Sequence, residues 1–251
     1  MHSMTQPEKV QLFVTCMIEA LRPEAGLAVV SVLESLGLEV IVPEGQTCCG
    51  QPAFNGGLWD DARPLARHTL DVLSQSDTPI VVPSGSCADM IKHHYAELFT
   101  DDPKYAQLAK DVAARTYEFT EFIVDVLGVT DLDAHFQGKV TYHSSCHLLR
   151  NMGINHQPRE LLKNVQDLEV IDLPNATECC GFGGLFAIKM GDISSAMLQR
   201  KLDAIESTGA DAVIGCDVSC LLNIGGGLHR RGSKIETKYI AELLLDTDEH
   251  R

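Results

Sequence analysis

Short apolar runs alternate with amphipathic stretches along the chain, which predicts strands that alternate with helices. In the first half, the apolar runs at residues 10–15 and 38–42 have the character of buried strands. Residues 23–36 between them have helical spacing, and Gly37 follows as a stop. The predicted elements of this half are strands at 10–15, 38–42, 80–82 and 116–119 and helices at 23–36, 58–73, 88–98 and 121–127.

The second half repeats this order. Its predicted strands are 139–142, 168–173, 212–215 and 234–237, and its helices are 158–165, 185–207, 221–231 and 238–246. Strands that alternate with helices predict parallel βαβ units with right-handed crossovers. We therefore expect an α/β fold of two similar halves related by pseudo-twofold symmetry, each with a mostly parallel sheet. The expected domains are residues 1–128 and 139–251, joined by a linker at 129–138.

The cysteines repeat with the same period. Four in the first half match four in the second at an offset of about 130 residues, which indicates an internal duplication. Each half contains an adjacent pair followed by glycine, and the second half has one further thiol. The nine positions are Cys16, Cys48, Cys49 and Cys87, then Cys146, Cys179, Cys180, Cys216 and Cys220.

The cysteines fall at predicted strand ends or in the loops between a strand and a helix. In open α/β sheets, ligands bind beyond the carboxyl ends of the strands. The thiols of each half should therefore converge on one edge of its sheet. The glycine-rich segments at 181–184 and 225–227 are interpreted as tight turns or close backbone approaches, because no G-x-G-x-x-G follows a strand.

Composition and charge disfavour several classes of function. The chain has 251 residues, and 20 Lys and Arg against 35 Asp and Glu give a net charge of −15. This charge disfavours nucleic acids and anionic membrane surfaces, both of which attract basic proteins. The longest apolar stretches are far shorter than the roughly 20 residues that span a bilayer. We expect a cytoplasmic protein, in which a cysteine-rich pattern indicates metal binding or catalysis more than disulfides.

Four roles for the thiols remain open from the residues alone. They are apolar core positions, a redox dithiol, structural zinc or an iron–sulfur cluster. The repetition in both halves disfavours core positions, and adjacent cysteines form only a strained disulfide. The predicted metal ligands of the first half are Cys16, Cys48, Cys49 and Cys87. Those predicted to bind the cofactor of the second half are Cys146, Cys179, Cys180, Cys216 and Cys220.

The unequal thiol count predicts two different sites. Ser84 is expected to occupy the position that Cys216 occupies in the second half. Our hypothesis is an iron–sulfur cluster in the second half and a weaker cluster or a zinc ion in the first. His143 and His147 flank Cys146, and each could be a ligand, a proton donor or a residue that supports a ligand. No catalytic residue is identified.

The repeated Cys-Cys-Gly pattern resembles the duplicated cysteine-rich (CCG) domain. That domain occurs in the cysteine-rich subunit of heterodisulfide reductase, in the iron–sulfur subunits of glycolate and glycerol-3-phosphate oxidoreductases, and in the lactate utilization protein A family. The chain is most similar to the last of these, through the segments 83–87, 142–147 and 215–220. The larger relatives carry a ferredoxin-like domain with Cys-x₂-Cys-x₂-Cys, which this sequence lacks.

The resemblance implies a role in oxidising L-lactate to pyruvate together with partner subunits, one of them a ferredoxin-type iron–sulfur protein. It also implies an atypical [4Fe–4S] cluster, although a related class is thought to hold zinc in one half. Two alternatives stay open. One is a non-catalytic zinc-stabilised scaffold, and the other is a CCG subunit of a glycolate- or heterodisulfide-type redox complex.

Overall fold

The computed structural model describes residues 6–245. Residues 1–5 and 246–251 lie outside the described part, and with them the ends of both predicted domains and of the predicted helix 238–246. The described chain divides into two compact units, one made of residues up to 54 and 58–129, the other of residues 55–57 and those from 130 onward.

The first unit is a four-stranded parallel sheet with helices between its strands. The strand order is β2-β1-β3-β4, and every pairing is parallel. The central strand β3 consists of β-branched residues only, and all of them are fully buried. The strands are β1 Lys9–Leu12, β2 Glu39–Ile41, β3 Ile80–Val82 and β4 Thr116–Glu118. The helices are α1 Cys16–Leu21, α2 Pro23–Ser35, α3 Gln51–Asn55, α4 Trp59–Leu73, α5 Gly85–Asp89, α6 Tyr95–Leu98, α7 Pro103–Ala114 and α8 Phe119–Glu121, with π-helical turns at Met90–His94 and Phe122–Val126.

The second unit repeats this topology with the strand order β6-β5-β7-β8, again all parallel. The strands are β5 His135–His143, β6 Gln166–Ile171, β7 Ala212–Gly215 and β8 Glu236–Tyr239. The helices are α9 His156–Lys163, α10 Leu185–Lys189, α11 Gly191–Thr208 and α12 Val218–Arg230, with a π-helical turn at His147–Asn151 and a 3₁₀ turn at Ile240–Leu243. The predicted α/β class with two repeated parallel-sheet halves is confirmed.

The two sheets share the same register. Val82 pairs with Glu118 in the first sheet as Gly215 pairs with Tyr239 in the second. Glu118 and Tyr239 each begin a short helical turn at the matching place. This register aligns the two units residue by residue, so differences between their sites can be assigned to single positions.

Several elements differ from the prediction. β5 begins at His135, inside the predicted linker, because its first residues pair with β6 although Phe136 is their only large apolar side chain. The predicted helix 185–207 is broken at Met190, whose backbone leaves the helical region and separates α10 from α11. Helix α7 was not predicted, although Asp102 caps it and Pro103 opens it.

The Gly225–Gly227 segment is also different from the interpretation as a turn, because it lies inside α12. A Cβ atom on Gly227 would lie 2.7 Å from a methyl carbon of Leu202, so the absent side chain lets α12 approach α11 closely. Among the described residues, no helix combines the length and apolar character that crossing a membrane requires.

Candidate metal centres

Four thiols of the first unit form one connected cluster at the carboxyl ends of the strands. Cys16 begins α1, the adjacent pair lies in the loop between β2 and α3, and Cys87 is the third residue of α5. Hydrogen bonds link Cys16 to Cys48 and Cys48 to Cys49. The Sγ atoms of Cys49 and Cys87 lie 3.4 Å apart. The structure thus brings together all four thiols predicted for this half.

The second unit contains the same arrangement. Cys146 precedes the π-helical turn, the adjacent pair lies in the loop between β6 and α10, and Cys220 is the third residue of α12. Hydrogen bonds link Cys146 to Cys179 and Cys179 to Cys180. The Sγ atoms of Cys180 and Cys220 are 3.1 Å apart. Thiols far apart in sequence therefore meet because each crossover returns the chain to the same edge of the sheet.

Each cluster has a buried half and a half that reaches solvent. The second cysteine of each adjacent pair is buried, and so is the cysteine of α5 or α12. These buried thiols are Cys49 and Cys87 in the first unit and Cys180 and Cys220 in the second. In the second unit, Cys180 and Cys220 pack among Leu198, Leu202 and Ile224 of the core. The remaining two thiols of each cluster are partly exposed; they are Cys16 and Cys48 in one unit and Cys146 and Cys179 in the other.

The fifth thiol of the second half, Cys216, occupies a different position from the one we predicted. Ser84 is the N-cap of α5, and Asp217 is the N-cap of α12, so these two residues correspond. The counterpart of Cys216 is the buried Pro83. The expectation that Ser84 replaces Cys216 was wrong by one residue, because the spacing of cysteines alone does not locate the helix cap.

Cys216 is fully buried at the end of β7, and its Sγ lies 3.5 Å from the hydroxyl of Tyr142. The shared part of the two sites is therefore four thiols in each unit. The role predicted for Cys216 as a fifth ligand stays a prediction.

One thiol in each cluster is surrounded by hydrogen-bond donors. Donation from Cys16 and Cys49, together with the backbone N–H of Gly50, lowers the pKa of Cys48. Cys179 receives the matching bonds from Cys146, Cys180 and the Gly181 N–H, the last over 3.3 Å, and its pKa is lowered too. Thiolate is the form that binds metals, so each cluster is arranged around a thiolate.

The glycine after each cysteine pair is required by the backbone. Gly50 and Gly181 have φ values of 83° and 87°, a left-handed conformation that side chains disfavour. A Cβ atom on Gly181 would lie 2.6 Å from the carbonyl oxygen of Ser194, and one on Gly50 would lie 3.3 Å from that of Ala62. The glycine therefore lets the loop that carries the thiols lie directly against α4 or α11.

A helical side chain holds the buried cysteine of each pair, and it comes from α6 in the first unit and from α12 in the second. The hydroxyl of Tyr95 donates to the carbonyl of Cys49 over 2.9 Å. The side-chain amide of Asn223 donates to the carbonyl of Cys180, also over 2.9 Å. In both units, a side-chain donor thus holds the carbonyl of the second cysteine of the pair, but the donor occupies a different position in the fold. These residues were not predicted, although Asn223 interrupts an apolar helix face and could have been noticed.

Two basic residues stand beside the second cluster. His143 is fully buried at the end of β5, and its pKa is lowered to about 3 by burial and by the positive charge of Lys201, so the ring is neutral. Lys201 is also buried, and its ammonium donates to the carbonyls of Asn175 and Ala176 over 2.9 and 3.4 Å. The sequence analysis missed Lys201, although it lies on the apolar face of α11.

The other candidates lie at the margins of the clusters. His147 Nδ1 is 3.6 Å from the Sγ of Cys146. Phe182 packs against the core that contains Cys180. Trp59 is 44% exposed and stacks on Phe54 with ring centroids 5.2 Å apart, so it covers part of the surface next to α3.

The donor sets fit a metal ion or an iron–sulfur cluster. Thiolates are the ligands of structural zinc and of iron–sulfur clusters, and both accept four of them. In the second unit, one ligand atom each from His143, Cys180 and Cys220 lies within 4.8 Å of the others. The neutral imidazole beside these thiols is a further potential donor.

Comparison with known proteins agrees with this arrangement. The model of the CCG cysteine-rich domain matches residues 10–92 and 140–225, one copy in each unit. Lactate utilization protein A from Bacillus cereus (strain G9842) is 50% identical over 236 residues, which cover 94% of this chain and 98% of that protein. The protein of the same name from Geobacillus sp. (strain WCH70) is 49% identical with the same coverage.

A solved structure supports the fold. A hypothetical protein from Helicobacter pylori aligns with 96% of this chain at a TM-score of 0.63 and 13% identity. The chain spans about half the length of that protein, since the alignment covers 49% of it. At this identity the likeness concerns the fold alone.

Proposed function

The chain belongs to the CCG cysteine-rich domain family, within it to the lactate utilization protein A family, and we propose that it is the iron–sulfur subunit of an oxidoreductase complex that oxidises L-lactate to pyruvate. The substrate follows from the relatives, which carry lactate utilization in their names and align over almost their whole length. The observation that supports the redox role is the convergence of four thiols in each unit at the carboxyl edge of a parallel sheet.

The residues that would hold the two groups lie at matching positions in the two units. Cys16, Cys48, Cys49 and Cys87 would bind one, and Cys146, Cys179, Cys180 and Cys220 the other. An iron–sulfur cluster, when bound, supplies one-electron transfer. The buried thiols would anchor each group in the core, while the partly exposed thiols would leave one side open toward an electron-transfer partner.

Partner proteins are part of this proposal. A ferredoxin-type iron–sulfur protein and a subunit that binds lactate would complete the complex. Oxidation of lactate to pyruvate releases two electrons and two protons; the lactate-binding subunit would release the protons, and the electrons would reach the clusters of this subunit one at a time.

A second candidate is a zinc-stabilised scaffold that docks partner subunits without redox chemistry. The mixed donor set of His143, Cys180 and Cys220 favours it, because imidazole and thiolate are the usual ligands of zinc. Such a protein would depend on metal for folding but would be silent in redox titrations.

Metal analysis separates the two candidates. The full chain is purified anaerobically, and iron, acid-labile sulfide and zinc are measured together with the absorbance near 400 nm. Iron and sulfide in comparable amounts, with absorbance that bleaches on reduction, are expected. Zinc in both units, with neither iron nor sulfide, would replace the redox role by the scaffold.

Growth on L-lactate tests the physiological role. A strain that lacks this protein should regain growth when it receives the unsubstituted chain but not the Cys179→Ser variant. The Ser207→Ala variant, which alters an exposed residue near the end of α11, is the matched control. Full growth with Cys179→Ser, combined with loss of its metal, would contradict a role of the cluster in lactate oxidation.

A further inference from the structure

His143 is one position at which the two sites differ in chemical character. The shared register of the two sheets aligns it with Phe13, since Gln11 pairs with Ile80 as Thr141 pairs with Val213. Both side chains are buried, at 0% and 1% exposure. The same place in the fold therefore holds an apolar ring in the first unit and a ring with two nitrogen atoms in the second.

The histidine ring has no hydrogen-bond partner among the described residues. Both Nδ1 and Nε2 are buried and unpaired. Burying a polar group without a partner destabilises the fold, and phenylalanine at this place in the first unit avoids that cost. A histidine retained here would need a compensating interaction that the protein atoms do not supply.

The surroundings of the ring indicate what that interaction is. One ring nitrogen and the Sγ atoms of Cys180 and Cys220 all lie within 4.8 Å of one another. All three side chains are buried, so water does not compete for their lone pairs. Imidazole nitrogen binds both zinc and iron, and it replaces thiolate in some iron–sulfur proteins.

We propose that His143 is a nitrogen ligand of the metal group held by the second unit, which makes that site a mixed imidazole and thiolate site. The inference rests on the proposed function only in requiring a bound metal, and it holds for an iron–sulfur cluster or for zinc. Zinc takes four ligands, so there the imidazole would take the place of one of the two partly exposed thiolates, Cys146 or Cys179. The first site, with Phe13 in this position, is a thiolate site. A neutral imidazole adds less negative charge than a thiolate, so the two groups would differ in redox or exchange behaviour.

The test isolates the second site in the full chain. The Cys48→Ser and Cys49→Ser substitutions together remove the first site, and the protein is produced with ¹⁵N-labelled histidine. For an iron–sulfur cluster, pulsed EPR of the reduced protein should show a strong coupling to a histidine nitrogen that changes with the isotope. For zinc, X-ray absorption should show an imidazole nitrogen at roughly 2.0–2.1 Å.

Three variants assign the nitrogen. His143→Phe, which copies the residue of the first unit, should abolish the nitrogen signal. His147→Phe, the matched control near Cys146, should retain it. Where His143→Phe does not hold metal, His143→Cys should hold it through a thiolate and also lack the nitrogen signal.

Two results would overturn the proposal. They are bound metal with no histidine nitrogen in the parent protein, and a nitrogen signal that persists in His143→Phe or His143→Cys. The failure of the proposed function is measured separately, because it would be the absence of iron and sulfide from the unsubstituted chain. A zinc-only protein with an imidazole ligand would reject the redox role and support this inference.

Discussion

The Tyr95 hydroxyl donates a hydrogen bond to the backbone carbonyl of Cys49 over 2.9 Å, linking two residues 46 positions apart. Tyr95 is fully buried in α6, and Cys49 is buried in the loop that follows β2. The bond therefore ties the cysteine pair of the first site to a helix of the core. This hydrogen bond would hold the thiols of the loop in place when no metal is bound.

Replacing Tyr95 with phenylalanine should destabilise the first unit. The Cys49 carbonyl would lose its side-chain donor in a buried place, which costs on the order of 1–2 kcal/mol. Urea unfolding of the metal-free protein measures the change. Tyr117→Phe is the control, because the hydroxyl of Tyr117 has no hydrogen bond within residues 6–245. Equal stability of both variants would show that the Tyr95 bond contributes nothing.

The two glycines of the Cys-Cys-Gly loops, Gly50 and Gly181, should tolerate alanine less well than Gly209, which lies outside these loops. Gly209 has a φ of 66° and open space around it, so Gly209→Ala should cost only the left-handed backbone penalty of about 1–2 kcal/mol. Gly50→Ala adds a close contact with Ala62, and Gly181→Ala adds a clash with the Ser194 carbonyl, for a total on the order of 3 kcal/mol. Thermal unfolding should rank the three variants in that order, and a Gly181→Ala protein as stable as Gly209→Ala would refute the argument.

The stability of the first unit should depend on pH through Glu118. This carboxyl is fully buried, and burial raises its pKa from 4.5 to about 7, although one oxygen accepts bonds from Thr120 and Glu121. Because the folded pKa lies above the unfolded one, its contribution to stability is complete below pH 4.5 and is lost as the pH rises through 7. The loss should be about 3 kcal/mol.

The Glu118→Gln variant isolates this contribution. Its unfolding free energy minus that of the parent should increase between pH 4.5 and 7 and stay constant above that range. Urea unfolding at several pH values gives the difference, in which the titration of all other groups cancels. A difference that does not change with pH would exclude a raised pKa at Glu118.

Each thiol cluster should bind metal independently. Cys49→Ser should remove the group of the first unit and Cys180→Ser that of the second, so each variant should lose the metal of one unit and retain that of the other. The double variant should retain none. Metal analysis of the three anaerobically purified proteins decides, and loss of all metal from either single variant would show that the sites depend on each other.

Lys201 should tune the second site alone. Its buried ammonium lies near the thiols of Cys179, Cys180 and Cys220, and a positive charge favours the reduced, more negative state of a cluster. Lys201→Met should therefore lower the reduction potential of one cluster by on the order of tens of millivolts. Lys189→Met, at an exposed position, is the control, and redox titration monitored by EPR gives both values. An unchanged reduction potential in Lys201→Met would show that the charge of Lys201 does not influence the second site.

Much of the fold was predictable because the chain repeats itself. The strands at residues 80–82 and 212–215 were predicted with their observed bounds, since short β-branched runs between turn residues are a strong local signal. Helix α7 and the start of β5 were missed, because their apolar patterns are weak and packing against neighbouring elements stabilises them. The break between α10 and α11 at Met190 was also missed, although Gly191 directly follows it and begins α11.

The sequence by itself determined the duplication, the α/β class and the cysteines that meet, because the period of the motif and the rule for strand ends are properties of order along the chain. Tertiary structure decided which residues surround those thiols. It aligned Pro83 rather than Ser84 with Cys216, and it placed His143 where the first unit has Phe13. It also brought Tyr95 and Asn223, from different helix positions, to the equivalent backbone carbonyls of the two cysteine pairs. These relationships depend on register and on helix caps, which are fixed when the sheet and its helices pack together.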